Sequence, residues 1–351
     1  MKISAKRMVR SIGRVVLTLP ATSCFLSCGM VREELPECPR PVFELRFVYD
    51  YNMEYANAFH NQVDCLSAYI FTESGELVGI EKVTDSGLLS DESYRMRPSL
   101  APGRYHVVAY GGMDCEKSSF SSTNMVSGSR LTDLQVHMHG SSLTDKERYR
   151  LHNHYYGSAD FTVDEKEDTY ATVPMMRNTN SIQVALQHMN GKPVDCNDFI
   201  FEITDDNNDF DHENNLLATG EIKYNPWNTD NRSTGVWGEN DQSTDWTVAL
   251  AQFTTSRLVK RTAQNNKQTP TTLQVRRAQD GQTVFSIPLV NYMLLFKHDN
   301  SGAGLDAMDD QEYLDRENTW NFVFFLDENN VWIRTRFIVN DWEVRLNGAD
   351  I

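Results

Sequence analysis

The 351-residue chain lacks any apolar run of the ~20 residues that a helix needs to cross a bilayer. Its early apolar stretch, Val15-Val16-Leu17-Thr18-Leu19, is short and stops at Pro20, so a transmembrane anchor is not expected. Positive charge is also scarce, with 33 Lys and Arg against 49 Asp and Glu and a net charge of −16. Residues 1–27 hold five of the basic residues and no acid, so the remainder carries −21. A body this acidic repels nucleic acid and anionic lipid head groups, and no nucleic-acid partner is expected. The six cysteines, at 24, 28, 38, 65, 115 and 196, contain no CxxC pair, which excludes a zinc knuckle or a thioredoxin-like motif. GxSxG, P-loop and GxGxxG motifs are missing as well, and no cofactor is expected. His212-Glu213 opens like a zinc-protease HExxH, but Leu216 stands where the second His is required.

What is present begins with a removable leader. Lys2, Lys6, Arg7, Arg10 and Arg14 precede the short apolar run, and small residues lead to Cys28. A basic start, a short apolar segment and a small residue before cysteine describe a bacterial lipoprotein signal peptide over residues 1–27. Cys28, flanked by Ser27 and Gly29, is the expected lipid attachment site. Cleavage there leaves the apolar run whole, whereas Cys24 precedes bulky Phe25. Residues 28–41 form a spacer whose prolines at 36, 39 and 41 favour extended chain. The exported chain then has four cysteines for three fully paired connectivities. Cys38–Cys115 is the expected pair, at the ends of predicted strands, and Cys65 and Cys196 read as buried thiols.

Past residue 41 the hydrophobic period is two. Phe43, Leu45 and Phe47 alternate with Glu44 and Arg46, and the run from Val63 to Phe71 turns apolar on both faces, as in a central strand. Further strands are predicted at 104–111, 134–138, 156–163, 182–187, 198–204, 219–224, 246–253, 272–276, 283–287, 320–326, 331–337 and 342–346. Only Pro288–Lys297 and Asp306–Glu317 read as helices. Residues 112–130, 140–153, 205–216 and 225–245 read as loops. Short strands at this frequency predict an all-β chain of two Greek-key sandwiches, over 42–176 and 177–351.

Two patterns raise a metal question. His137 and His139, like His152 and His154, would share a strand face, but no acidic or cysteine partner lies at ligand spacing, so exposed polar positions are expected. The oxygen-rich run Asp205-Asp206-Asn207-Asn208-Asp209-Phe210-Asp211 lacks the glycine and glutamate of an EF-hand loop and reads as a solvated acidic turn rather than a calcium site. Trp227, Trp237 and Trp246, in or beside the long loop of the second half, would suit a surface glycan-binding lipoprotein, the alternative function.

A set of segments in fixed order is more specific. Leu35-Pro36-Glu37-Cys38-Pro39, Phe47-Val48-Tyr49-Asp50-Tyr51-Asn52-Met53 and Ala58-Phe59 open it. Leu100-Ala101-Pro102-Gly103-Arg104-Tyr105 and Met176-Arg177-Asn178-Thr179-Asn180 follow. Phe253-Thr254-Thr255-Ser256-Arg257-Leu258, Leu314-Asp315-Arg316-Glu317 and Val339-Asn340-Asp341-Trp342 complete it. Together they resemble the FimB-type fimbrial anchor family of the Bacteroidales. No nucleophile–base or metal pattern occurs, so no enzymatic activity is expected. The resemblance implies transthyretin-like sandwiches and a lipid tail in the outer membrane. It also implies a role as the basal subunit that holds a fimbrial shaft of fimbrillin and helps limit its length. The final strand, Trp342, Val344 and Leu346, is the segment expected to contact the shaft.

Overall fold

Alternation in the sequence becomes alternation in burial. A computed structural model describes residues 41–237, 243–265, 267–299, 305–340 and 342–345. In β1 (Phe43–Val48), Phe43, Leu45 and Phe47 are buried and Arg46 is exposed. β2 (Leu66–Thr72) is buried on both faces apart from its last residue, and it lies between β3 (Leu77–Val83) and β4 (Gly103–Gly111). With β7 (Tyr155–Val163) and β8 (Thr169–Arg177) these strands form one sheet in the order β1-β8-β7-β4-β2-β3.

This sheet folds over on itself. β4 and β7 pair along their whole length, from Gly103↔Val163 to Gly111↔Tyr155. β7 and β8 pair only from Tyr155↔Arg177 to Gly157↔Met175, and β8 then runs parallel to β1. Pro174 sits just past that short ladder, where its missing N–H costs no β7 hydrogen bond. The β1–β8 layer lies across the others, with Phe43 stacked on Phe161 at 4.6 Å and Tyr49 edge-on to Tyr155 at 5.2 Å. Leu45, Phe47, Phe59, Ile70, Val107 and Val173 fill the space between.

The other face of the sheet is apolar too. Tyr69, Phe71, Val108 and Tyr110 join a larger cluster with Phe120, Ile182, Phe253 and Trp320. A small sheet, β11-β6-β5, ties the two halves of the chain. β5 (Phe120–Ser122) and β6 (Val136–Met138) come from the first half and β11 (Asp209–Phe210) from the second. The 112–130 and 205–216 loops therefore each contain a short strand, too brief to show a period.

The later strands are β9 (Thr179–His188), β10 (Phe199–Asp205), β12 (Ile222–Tyr224), β13 (Asn228–Trp237), β14 (Ser243–Ser256), β15 (Thr272–Arg277), β16 (Thr283–Pro288), β17 (Thr319–Leu326), β18 (Trp332–Val339) and β19 (Trp342–Arg345). They build a six-stranded sheet, β13-β14-β9-β17-β18-β19, and a four-stranded one, β12-β10-β15-β16. The sheets meet through Phe285 and Phe324, whose rings are 4.5 Å apart. Each half thus opens with a strand, β1 or β9, that pairs parallel with a later one, β8 or β17. β13 corrects the expected 225–245 loop. It is an edge strand with exposed residues over 229–233, so it needs no apolar alternation. The two longest helices run Leu289–Asp299 and Asp310–Arg316, beside three single turns at Phe59–Gln62, Ser86–Leu89 and Ser141–Thr144; the second long helix starts late because the Asp309 carboxylate caps Gln311 and Glu312 N–H. Among the described residues no helix is long and apolar enough to cross a membrane.

The disulfide is Cys65–Cys115, which corrects the expected Cys38–Cys115 pair; Cys38 lies outside the described residues. The register explains it. β2 and β4 pair antiparallel with Leu66 opposite Gly111, so Cys65, just before β2, meets the turn just after β4. Cys196 is a free buried thiol, as expected. The β4 exit needs Gly112, at φ +73°, where an added Cβ would lie 1.7 Å from the Asn153 carbonyl oxygen. Gly112→Ala is expected to cost about 2–3 kcal/mol in urea unfolding; an unchanged midpoint would show that the backbone relaxes.

Candidate functional site

The loop that leaves β1 and the segment that ends the helix Asp310–Arg316 meet at a dense polar junction. The Arg316 guanidinium covers the Tyr51 ring at 4.0 Å and the Tyr55 ring at 4.6 Å, and its Nε donates to Glu312 at 2.7 Å. Asn318 Nδ2 donates to the Tyr49 hydroxyl at 3.0 Å. Arg177, at the end of β8, donates to Asn318 at 3.2 Å and to Asn153 at 2.7 Å. Asn178 and Asn214, both buried, exchange amide hydrogen bonds at 2.7 and 3.0 Å.

Arg257, just after β14, closes the arrangement. It grips Asp315 with two bonds of 2.8 and 2.7 Å and donates a third to the Asn214 carbonyl at 2.7 Å. Burial opposes the Arg257 charge, but Asp315 beside it outweighs that and holds the guanidinium charged. The junction thus joins residues from four of the segments that carry the family resemblance. The sequence placed those segments in order but gave them no common location.

A polar cavity of about 880 Å³ opens beside Arg257, lined by Asn214, Lys260, Gln264, Lys297 and Asp310 among others. Lys260 and Lys297 both bind Asp310, at 2.6 and 2.8 Å. Burial would raise the Asp310 pKa, but the two ammonium donors overcome it and pull the carboxyl down to about 2. A folded-state pKa below the unfolded value gives stability that is complete above the ordinary carboxyl range and lost as pH falls through about 2. Asp310→Asn is expected to cost about 2 kcal/mol at neutral pH and to flatten the acid limb of the stability curve. Urea midpoints measured from neutral pH downward check this; parallel curves for the two proteins would refute it.

The other predicted site residues fall elsewhere. Cys28 and the competing Cys24 lie outside the described residues, as does Leu346. Trp342 and Val344 lie on β19, the edge strand of the larger sheet, opposite Val339 and Phe337 of β18. Trp227 stacks under Arg150 at 4.7 Å, and Trp246 packs against Gly191. On the β13–β14 ladder Asn228 pairs with Gln252 and Thr234 with Trp246, while Trp237 pairs with Ser243. Trp227 and Trp246 are therefore roughly 20 Å apart along the strands, too far for one continuous stacking platform.

The paired histidines have separate surroundings, and buried His154 corrects the expected exposed position. His137 pairs with Asp209 and His152 with Asp64, each at 3.0 Å. His154 is buried against Phe120 and Tyr110, and burial pushes its pKa down to about 3. Among the described residues, donor atoms of Asp64, Cys65, Cys115 and His152 lie within 4.8 Å of one another, with the two sulfurs joined as the disulfide. The acidic run contradicts the expected solvated turn, because Asp205, Asp206 and Asn207 are buried. The Lys267 ammonium occupies the position among their oxygens that a cation would have taken. Sequence reasoning missed this lysine because it lies 62 residues beyond Asp205.

The family described as fimbrillin-A associated anchor proteins Mfa1 and Mfa2 matches residues 35–348. Among solved structures, a candidate adhesin from Bacteroides thetaiotaomicron is 44% identical, with a TM-score of 0.81 over 89% of this chain and 100% of that one. A candidate polysaccharide-binding protein from the same organism is 26% identical, with a TM-score of 0.73 over 89% and 100% of the two chains. The fimbrial anchor protein Mfa2 from Porphyromonas gingivalis shares the fold at 13% identity, with a TM-score of 0.62 over 88% and 100%. No curated protein sequence matches this one.

Proposed function

We propose that this chain, which belongs to the family of fimbrillin-A associated anchor proteins Mfa1 and Mfa2, is the basal subunit of a fimbrium, fixed to the outer membrane by a lipid on Cys28. The family match over residues 35–348 carries this reading. In it, residues 1–27 are the leader, 28–41 the lipidated spacer, and 42–176 and 177–351 two sandwich modules. The partner is a fimbrillin shaft subunit.

Physical features of the chain support the role. A base must pass tension from a membrane tether to a polymer. The first described strand, β1, is locked by its parallel ladder with β8 and by the ring contacts of Phe43 and Tyr49. The loop that leaves β1 is held to the second half of the chain by Arg316 and Asn318. At the far end of the sequence β19 is a sheet edge, and an edge strand offers free backbone donors and acceptors to an added strand. A subunit tethered at its start engages a neighbour on one side only, which ends the fibre and helps set its length.

Deleting the gene is expected to leave long shafts in the medium, visible by electron microscopy. A chain ending after Asn340 is expected to reach the membrane but to lose more than about tenfold in capture of fimbrillin in pull-downs, since it lacks the β19 edge. Undiminished capture by that truncation would move the docking surface away from Trp342, Val344 and Leu346.

A further inference from the structure

The acidic run at the end of β10 encloses a lysine with almost no access to water. Side-chain exposure is 1% for Lys267, 0% for Asp205 and 5% for Asp206. Lys267 Nζ touches Asp205 Oδ1 and lies 2.9 Å from Asp206 Oδ1. The Asp206 N–H donates to Asp205 Oδ1 at 2.7 Å, and the Thr271 hydroxyl donates to Asp205 Oδ2 at 2.6 Å. Asp206 Oδ2 accepts from the N–H groups of Gln268 and Thr269, at 2.7 and 2.6 Å. One amine thus faces two carboxyls with different surroundings in a dry site.

The two acids differ in the direction that acyl transfer needs. Burial pushes the Asp205 carboxyl up, toward the neutral acid that an amine can attack. Burial would raise Asp206 as well, but hydrogen bonds from Thr269, Lys267 and Gln268 hold it below the usual range, as a proton acceptor. In a water-poor interior a neutral amine and a neutral acid avoid the desolvation cost of the charged pair. Fixed contact between reacting groups can stand in for about 10⁵ M or more of free reactant.

We propose that Lys267 and Asp205 join through an intramolecular isopeptide bond. A proton passes from the Lys267 ammonium to Asp205 Oδ1, the oxygen it touches, which gives the free amine and the carboxylic acid. Nζ then bonds to Cγ while the Thr271 hydroxyl supports the charge developing on Oδ2. Nζ gives a second proton to Asp206. The Cγ–Oδ1 bond breaks, and Oδ1 leaves as water with its own proton and the one held by Asp206. No oxidant, reductant or co-reactant is consumed. The product ties the end of β10 to the segment that enters β15, by an amide that pulling cannot unzip as it would a hydrogen bond.

The test is a peptide map of the full chain purified from envelopes, denatured, reduced and digested with trypsin. The expected result is one branched peptide that contains Asp205 and Lys267, lighter than its two arms by one water, with no cleavage after Lys267. Lys267→Ala and Asp205→Ala are each expected to give only linear peptides. Asp206→Ala is expected to give linear peptides from a chain that still shows the wild-type circular dichroism spectrum. Full recovery of linear peptides cut after Lys267 from the wild-type chain would overturn the proposal and leave a buried ion pair. The map of the unmodified protein decides this even where a variant fails to fold.

Discussion

Replacing Cys28 by Ala is expected to release fimbriae from the cell. Acyl chains hold a protein to a bilayer through burial worth about 0.8 kcal/mol per CH₂, and stable anchoring takes more than one chain. The acidic body adds no electrostatic attraction to anionic head groups, since 49 acidic residues face 28 basic ones beyond residue 27. In the proposed anchor the lipid supplies the membrane affinity, and among the described residues no helix is long and apolar enough to span the membrane. The envelope-bound fraction of the variant is therefore expected to fall by at least about tenfold. Shafts of abnormal length are expected in the medium. Cys24→Ala is expected to behave as wild type, which separates the two cysteines that compete for the lipid. Sedimentation of envelopes and electron microscopy of cells and medium check both outcomes. Normally tethered filaments in the Cys28 variant would remove the lipid anchor from the proposed function.

Local signals are reliable where a strand or helix faces the core, and they fail at an exposed edge and for distant partners. β1 was legible because Phe43, Leu45 and Phe47 face one core. The helix from Leu289 was legible because a dense apolar run follows Pro288. β13 was not, since an exposed edge strand of Asn, Thr, Asp and Ser looks like a loop. The partner of Cys115 depends on which residue of β2 stands opposite Gly111, and no local pattern states that register. The acidic run at 205–211 looked solvated for the same reason, as its counter-charge arrives from 62 residues away. Each family segment is a local pattern, whereas their meeting point depends on tertiary contacts of Arg257, Asp315, Arg316 and Asn178 that no local pattern encodes.

Arg257→Ala and Asp315→Ala are each expected to destabilise the chain by about 3–5 kcal/mol, because each leaves the other charge buried and unpaired. The side chains are 17% and 6% exposed, so water cannot replace the lost partner. The expected loss is larger than for a surface pair such as Arg104–Glu73, where both side chains are more than half exposed and about 0–1 kcal/mol is usual. Arg257→Lys keeps the charge but not the fork that reaches both Asp315 oxygens and the Asn214 carbonyl, so it should recover only part of the loss. Replacing both residues by apolar ones of similar volume should cost less than either single change, since no lone charge then remains. Urea unfolding of the four variants reads all of these. If the junction carries tension from the β1 end toward the sheet edge at β19, the single variants should also shed fimbriae under shear while remaining lipid-bound. A single variant with wild-type stability would mean that water enters at Arg257, and the bidentate pair would then not brace the junction.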